Sequence, residues 1–338
     1  MALQYRTIIE QAGVVDVSAR GRLRVEGPDA VSFLHALVTN DVEKVTPGRG
    51  TYAAWLTPQG RMIADLRLFR DETGVWMEVP EGMGPAMQAG LDRLIFAEQV
   101  TVTDVSSSTE AALFIGHRAA DYVAQATGLD VETLRDLPLW GHVAAGDTHV
   151  ARVDDTALPT FALWRPKTTS GTVFGGAAGP SSQISAQNRD VQPPEGPETM
   201  PDVVFEGLRI EAGRPKFGVD MTAETIPLEA GLLDRAISQT KGCYVGQEVV
   251  IRILHRGGGR VARRLVRLQW PTGDGPLPAA GAEVTKDGRP VGVVTSAAVG
   301  PTVGVTVALA YVARDAAEEG VVVEVAGAGS AHLQAILQ

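Results

Sequence analysis

With 338 residues the chain is longer than one typical domain, so two or three compact units are expected, and 44% hydrophobic against 21% charged residues excludes a disordered or low-complexity protein. Lysine and arginine number 30 against 40 aspartates and glutamates, and the net charge of -10 argues against nonspecific nucleic-acid binding. A single cysteine, Cys243, excludes an intramolecular disulfide and fits a reducing compartment.

Residues 1–13 carry Arg6 and Glu10 and have no uninterrupted apolar core, which does not suit a signal peptide, so a cytoplasmic location is expected. Apolar alternation over 14–17 and 23–25 predicts two short strands. Pro28 and Asp29 then open a helix whose apolar face is Phe33, Leu34, Leu37 and Val38, with the acid near the positive end of the dipole. Thr39-Asn40-Asp41 reads as the polar turn that closes it. Residues 52–56 and 62–69 flank Thr57-Pro58-Gln59-Gly60 and predict a hairpin, which 75–79 extends to a three-stranded meander. Asp65 stands inside the second strand, where an acid is unusual, although its alternation with Ile63 and Arg67 also suits a salt-bridged face.

A helix follows over 83–96, then strands over 101–105 and 112–115 with Ser106-Ser107-Ser108 between them, where a first domain of 1–108 ends. Residues 121–127 read as helical, and 143–153 and 160–164 as extended. The stretch 168–201, rich in Gly, Ser, Pro and Gln, predicts a long mobile surface segment. A helix over 203–212, stopped by Gly213, leads toward the end of a middle domain of 109–248. Residues 249–254 read as a strand, and Gly257-Gly258-Gly259 is a turn rather than a phosphate loop because no Lys-Ser/Thr follows. The uncharged run 291–313 is broken by Gly300-Pro301-Thr302 into two strands, so no membrane span is expected there. With its neighbours it describes a small all-β unit, 249–338, of barrel type.

The chemistry concentrates in Lys241-Gly242-Cys243-Tyr244-Val245-Gly246-Gln247-Glu248. Glycines on either side of the thiol suggest a sharp turn or a close approach, and an ammonium two positions away would lower a thiol pKa. A buried, inert cysteine is the competing reading of the same residues.

The octet resembles the Lys-Gly-Cys-aromatic-x-Gly-Gln-Glu signature of the YgfZ-type folate-binding proteins, relatives of the glycine-cleavage T-protein. Two blocks are similar to that superfamily as well: Gly27 to Ala30 running through Phe33-Leu34 to Thr39-Asn40-Asp41, and Arg209 to Gly213 with Pro215, Gly218, Asp220 and Pro227 to Ala230. The resemblance implies an α+β fold, a multidomain arrangement of antiparallel sheets and helices with a C-terminal all-β barrel. It also implies a pterin pocket where the domains meet, closed on one side by Tyr244. Tetrahydrofolate or a related folate is the implied ligand, with Tyr244, Gln247, Glu248, Asp65, Asn40 and Arg252 as its contacts, Cys243 and Lys241 as the catalytic pair, and no resident metal. In the T-protein branch the resemblance implies two adjacent aspartates on the hairpin, where this chain has Ala64-Asp65, and a pterin-gripping glutamate in the middle domain, where 161–180 hold no Asp or Glu.

On these departures the expected function is a folate-binding factor that supports iron-sulfur cluster assembly or repair, acting on cluster-dependent enzymes such as tRNA-thiolating ones. One cysteine cannot hold a cluster alone, so transient iron-sulfur assembly or client proteins are the implied partners. The alternatives are a tetrahydrofolate-dependent aminomethyltransferase and a noncatalytic folate-binding scaffold. Arg252, His255, Arg256, Arg260, Arg263, Arg264 and Arg267 form a basic concentration that would suit a polyglutamyl folate tail, a nucleic-acid backbone or an acidic partner, and equally a solvated strand-turn-strand.

Overall fold

The computed structural model describes residues 5, 8–167, 197–256, 258–273 and 275–336. The chain begins with β1 (Gly13–Asp16), β2 (Arg20–Glu26), α1 (Ala30–Leu37), β3 (Arg49–Leu56), β4 (Met62–Arg70), β5 (Gly74–Glu81), α2 (Gly84–Asp92) and β6 (Thr101–Asp104). Strands β2 to β6 make one antiparallel sheet in the order β3-β4-β5-β2-β6. Strand alternation gives its faces different characters. Ala53, Trp55, Ala64, Leu66 and Leu68 enter an apolar core with Phe33 and Leu34 of α1 and Met87 and Leu91 of α2. On the other face Tyr52 sits opposite Arg67, Ala54 opposite Asp65, and Arg67 opposite Glu78.

Next come β7 (Thr109–Ile115), α3 (Ala119–Thr127), α4 (Val131–Arg135), β8 (His142–Ala145), β9 (Thr148–Val153), β10 (Thr160–Pro166) and β11 (Glu198–Thr199). They form a six-stranded sheet, β11-β1-β7-β10-β9-β8, which takes β1 from the start of the chain, so the amino-terminal and middle parts interleave. Strand β7 is buried along its whole length. One of its faces packs with Ala119, Val123 and Leu134 of α3 and α4, the other with Phe69 of the first sheet.

Helix α5 (Asp202–Glu211) turns Val204 and Leu208 to that second core and Ile210 to the domain that follows. Short helices α6 (Leu233–Ala236) and α7 (Gln247–Ile251) then lead to a π-helical turn, Arg252–Arg256. Strands β12 (Arg263–Gln269), β13 (Glu283–Lys286), β14 (Arg289–Val299), β15 (Thr306–Ala313), β16 (Val322–Val325) and β17 (Gly329–Ala335) close into a barrel in the order β12-β15-β14-β13-β16-β17. Val266, Leu268, Ala308, Ala310 and Leu333 belong to its core.

The α+β class, the hairpin meander and the closed barrel are as the sequence reading has them. Residues 249–254, expected as a strand, are instead α7 and the π-helical turn. Gly246 explains the difference. It has φ +82, and a Cβ there would stand 2.5 Å from the Thr57 carbonyl oxygen, so the chain reverses against the hairpin turn. From that start a helix buries Val250 while Glu248, Ile251 and Arg252 stay outside, an arrangement that an alternating strand does not give. The helix expected over 83–96 stops at Asp92. Most of the segment expected to be mobile, 168–196, lies outside the described residues. No helix among the described residues is long and apolar enough to cross a membrane, and the run 291–313 is occupied by β14 and β15 with the turn between them.

Candidate active site

The site grows from the polar face of the β3-β4 hairpin. The Tyr52 hydroxyl donates a 2.8 Å hydrogen bond to Asp65 Oδ2. Burial, and then the Asp65 charge, push the Tyr52 pKa well above 10, so the phenol keeps its proton and remains a donor. Asp65 is half-buried, and its Oδ1 has no hydrogen-bond partner among the described residues. Asn40 braces this pair from behind: its amide nitrogen donates to Thr51 Oγ1 and to the Tyr52 carbonyl, both at 2.9 Å. The guanidinium of Arg235, on α6, lies 5.1 Å from the Tyr52 ring centre and forms a two-pronged ion pair with Asp154 of the β9–β10 loop. Trp140, between α4 and β8, stacks on Tyr52 with ring centres 5.9 Å apart and planes at 4°.

Beside Asp65 lies a four-membered ion network. Arg20 and Arg67 each bind both Glu78 and Asp155, with distances of 2.7 to 2.9 Å. Burial alone would raise the Asp155 carboxyl, but Arg67 and Arg20 override it and hold it at about 2. The network joins β2, β4 and β5 of the first sheet to the β9–β10 loop of the second, which fixes the site face against the middle part of the chain.

Of the residues singled out in the sequence, Asp65 and Asn40 sit at this face, and Tyr244 shares an apolar cluster with Tyr52, Leu56 and Met62. Gln247 is half-buried, while Glu248 and Arg252 are exposed. Cys243 is exposed, so the reading of it as an inert packed side chain fails. Lys241 does not serve its neighbour as expected. Its ammonium donates to the carbonyls of His35, Val38 (2.6 Å) and Asn40 (3.1 Å), where helix α1 ends, and lies 5.0 Å from the Tyr244 ring centre. The lysine ties the signature loop to α1.

Replacing Lys241 by Met should therefore lower the unfolding free energy by about 2–3 kcal/mol, because carbonyls at a helix end lose a charged donor. Urea unfolding checks this, and a loss below about 0.5 kcal/mol would mean the tie is idle. The basic concentration is also divided in the structure. Arg263 binds Glu229 at 3.0 Å and covers Tyr311, and Arg267 holds Gln334 and the Glu211 carbonyl, while Arg252, His255 and Arg260 are exposed.

Tyr52, Trp140, Asp154, Asp155 and Arg235 are members of this site that do not stand out in the sequence. The adjacent acids Asp154-Asp155 between two strands were a usable signal; the aromatic pair was not, since 88 positions separate its members.

The family model described as the GCVT N-terminal domain matches residues 2–153, and the one described as the glycine cleavage T-protein C-terminal barrel domain matches residues 263–336. A protein named aminomethyltransferase from Moorella thermoacetica is 30% identical over 338 residues, covering 96% of this chain and 87% of the relative. The chain belongs to the glycine-cleavage T-protein superfamily. An aminomethyltransferase from Shouchella clausii is 28% identical, covering 93% of this chain and 82% of its own length. The crystal structure of the glycine cleavage system aminomethyltransferase T from Bartonella henselae superposes with a TM-score of 0.81 at 23% identity, covering 99% of this chain and 88% of that one, which shows the T-protein fold.

These relatives overturn the expected iron-sulfur role. Proteins that span nearly the whole chain carry the name aminomethyltransferase, the reading held above as an alternative. The broken aspartate pair, counted against that reading, weighs less once the strand is seen. Ala64 is fully buried in the apolar core under α1 and α2, so the missing acid is the one that would face hydrocarbon, and Asp65 is the one on the site face.

Proposed function

We propose that the chain is a tetrahydrofolate-dependent aminomethyltransferase with Asp65 as the carboxylate at the reacting centre. The observation that carries the reading is Asp65 itself: half-buried, held by Tyr52 through one oxygen, with the other free of any hydrogen-bond partner among the described residues. A carboxylate so held can take the proton of an amine or steady the positive charge that develops as a carbon-nitrogen bond polarises. Burial beside Arg67 and Arg235 keeps the surroundings polar but ordered, so little reorganisation accompanies that charge. The names of the relatives support the same reaction class.

The residues present suit a folate: Asp65 offers an acceptor for ring N–H groups beside the aromatic surface of Trp140, and Tyr244 borders the same cluster. When bound, tetrahydrofolate would supply the amine nitrogens that receive the one-carbon unit. The Lys241–Glu248 octet supports a finer placement, in the YgfZ-type branch of the superfamily, with the exposed Cys243 as the reactive group of that loop. The test is direct. Purified protein given tetrahydrofolate and an aminomethyl donor should release ammonia in step with methylene-folate formation. Folded protein that releases none above a protein-free control at saturating folate overturns the reading.

A further inference from the structure

Between the π-helical turn and β12 the chain borders a cleft of about 370 Å³, a size that suits a small ligand. Arg260, Val261 and Ala262 line it from this connection, and Arg314 and Asp315 line it from the turn that follows β15. The two segments are fixed to each other and to the core. Val261 is buried in the cluster around Tyr52, and the Arg314 amide donates to the Ala262 carbonyl at 3.1 Å. The exposed side chains of Arg260 and Arg314 therefore rise from backbone that is already in place.

The charges of this cleft lack the partners that arginines find elsewhere in the chain. Arg20 and Arg67 meet acids in the buried network, Arg209 binds Asp220 at 2.7 Å, and Arg263, next to the cleft, binds Glu229. Arg260 and Arg314 have no ion-pair or side-chain hydrogen-bond partner among the described residues. Neither has Arg264, which lines a smaller hollow with Glu229 and Ala317, a step further along both segments. Asp315 offsets one of these charges, and Glu229 is already matched by Arg263. In a chain of net charge -10, a cationic surplus confined to one cleft is open to an anion from outside. None of the lining residues is aromatic, so recognition there falls to charge and hydrogen bonding rather than to stacking.

We infer that this cleft is an oxyanion-binding site, which takes a small ligand carrying two or more neighbouring phosphate or carboxylate groups between Arg260 and Arg314. Each guanidinium presents a planar fork of N–H donors that matches either group in two-pronged fashion. A ligand with one such group engages one arginine, and a ligand with several engages both. Neither Asp65 nor Tyr52 lines the cleft, so the site stands whether or not the chain transfers aminomethyl groups.

Calorimetric titration of the full-length protein at low salt with sodium tripolyphosphate, and separately with tetraglutamate, tests this. Binding should saturate and weaken as salt is added. Arg260→Gln and Arg314→Gln should each lower the affinity by about 10-fold, the lower end of the range for losing a charge-assisted hydrogen bond. Both side chains are exposed, so neither change disturbs packing. Arg289→Gln removes the same charge from an exposed position on β14 and should stay within about 2-fold of wild type. Saturable binding of tripolyphosphate alone assigns the site to phosphoryl compounds, and of tetraglutamate alone to carboxylate chains; either result upholds it. No saturable heat from either ligand at millimolar concentration overturns the site. An equal loss in all three variants overturns it as well, because the attraction would then be spread over the surface.

Discussion

Asp65→Asn is expected to lower turnover by about 10²- to 10⁴-fold, the range for a positioned acid or base. The amide keeps the shape of the carboxylate and can still accept from Tyr52, so the fold loses little. What disappears is the charge and the ability to take a proton. Tyr52→Phe should act more mildly, by about 10-fold, since it removes only the hydrogen bond that orients Asp65. The two effects separate in steady-state kinetics: the asparagine variant loses kcat with thermal unfolding near that of wild type, and the phenylalanine variant, which keeps the carboxylate, loses far less. An Asp65→Asn protein within about 3-fold of wild type would make the acid a bystander. The effect would then have to arise elsewhere on the hairpin face, and no other carboxylate of that face is free, because Glu78 is held by Arg20 and Arg67.

How much of this was readable beforehand follows from the range of the interactions. The β3-β4 hairpin is local: alternation and the Thr57–Gly60 turn specify it, and Asp65 stood out in the strand because its strand was already legible. The faces of that strand were not legible. Asp65 and Arg67 share a side, while Ile63 falls at a register shift and packs against the core under α1 and α2; which side meets the other sheet depends on Phe69, Trp164 and Phe205 packing together from three distant segments. Residues 249–254 show the opposite error, where Val-Val-Ile composition argued for a strand and the reversal at Gly246, with Val250 entering the Tyr52 cluster, set a helix instead. The octet had a similar fate. Its lysine and cysteine are two positions apart in sequence, yet the ammonium turns to the carbonyls of a helix more than 200 positions earlier. Judging function from that octet gave weight to a local signal, whereas likeness to aminomethyltransferases runs through nearly the whole chain.

The buried network beside the site gives the second large effect, on stability rather than chemistry. Asp155→Asn leaves Arg20 and Arg67 without one of their two acids in a buried setting, and removing one partner of such a pair costs about 3–5 kcal/mol. Part of that loss has a defined pH dependence. The Asp155 pKa falls from an ordinary 3.8 to about 2 in the folded protein, because Arg67 and Arg20 outweigh its burial. A depressed carboxylate contributes stability that is complete above its unfolded pKa and disappears as pH falls through the folded one. A shift of nearly two units corresponds to about 2 kcal/mol. Urea unfolding at a series of pH values should therefore show wild type and Asp155→Asn separated by a constant margin from pH 8 down to about 5. The margin should then shrink by about 2 kcal/mol as the pH approaches 2. What is left at low pH is the packing and hydrogen-bond difference between acid and amide. A margin that stays level to pH 2 would mean that Asp155 titrates alike in the folded and unfolded chain. In that case the four-membered network holds the two sheets together by shape and hydrogen bonds, and its charges contribute little.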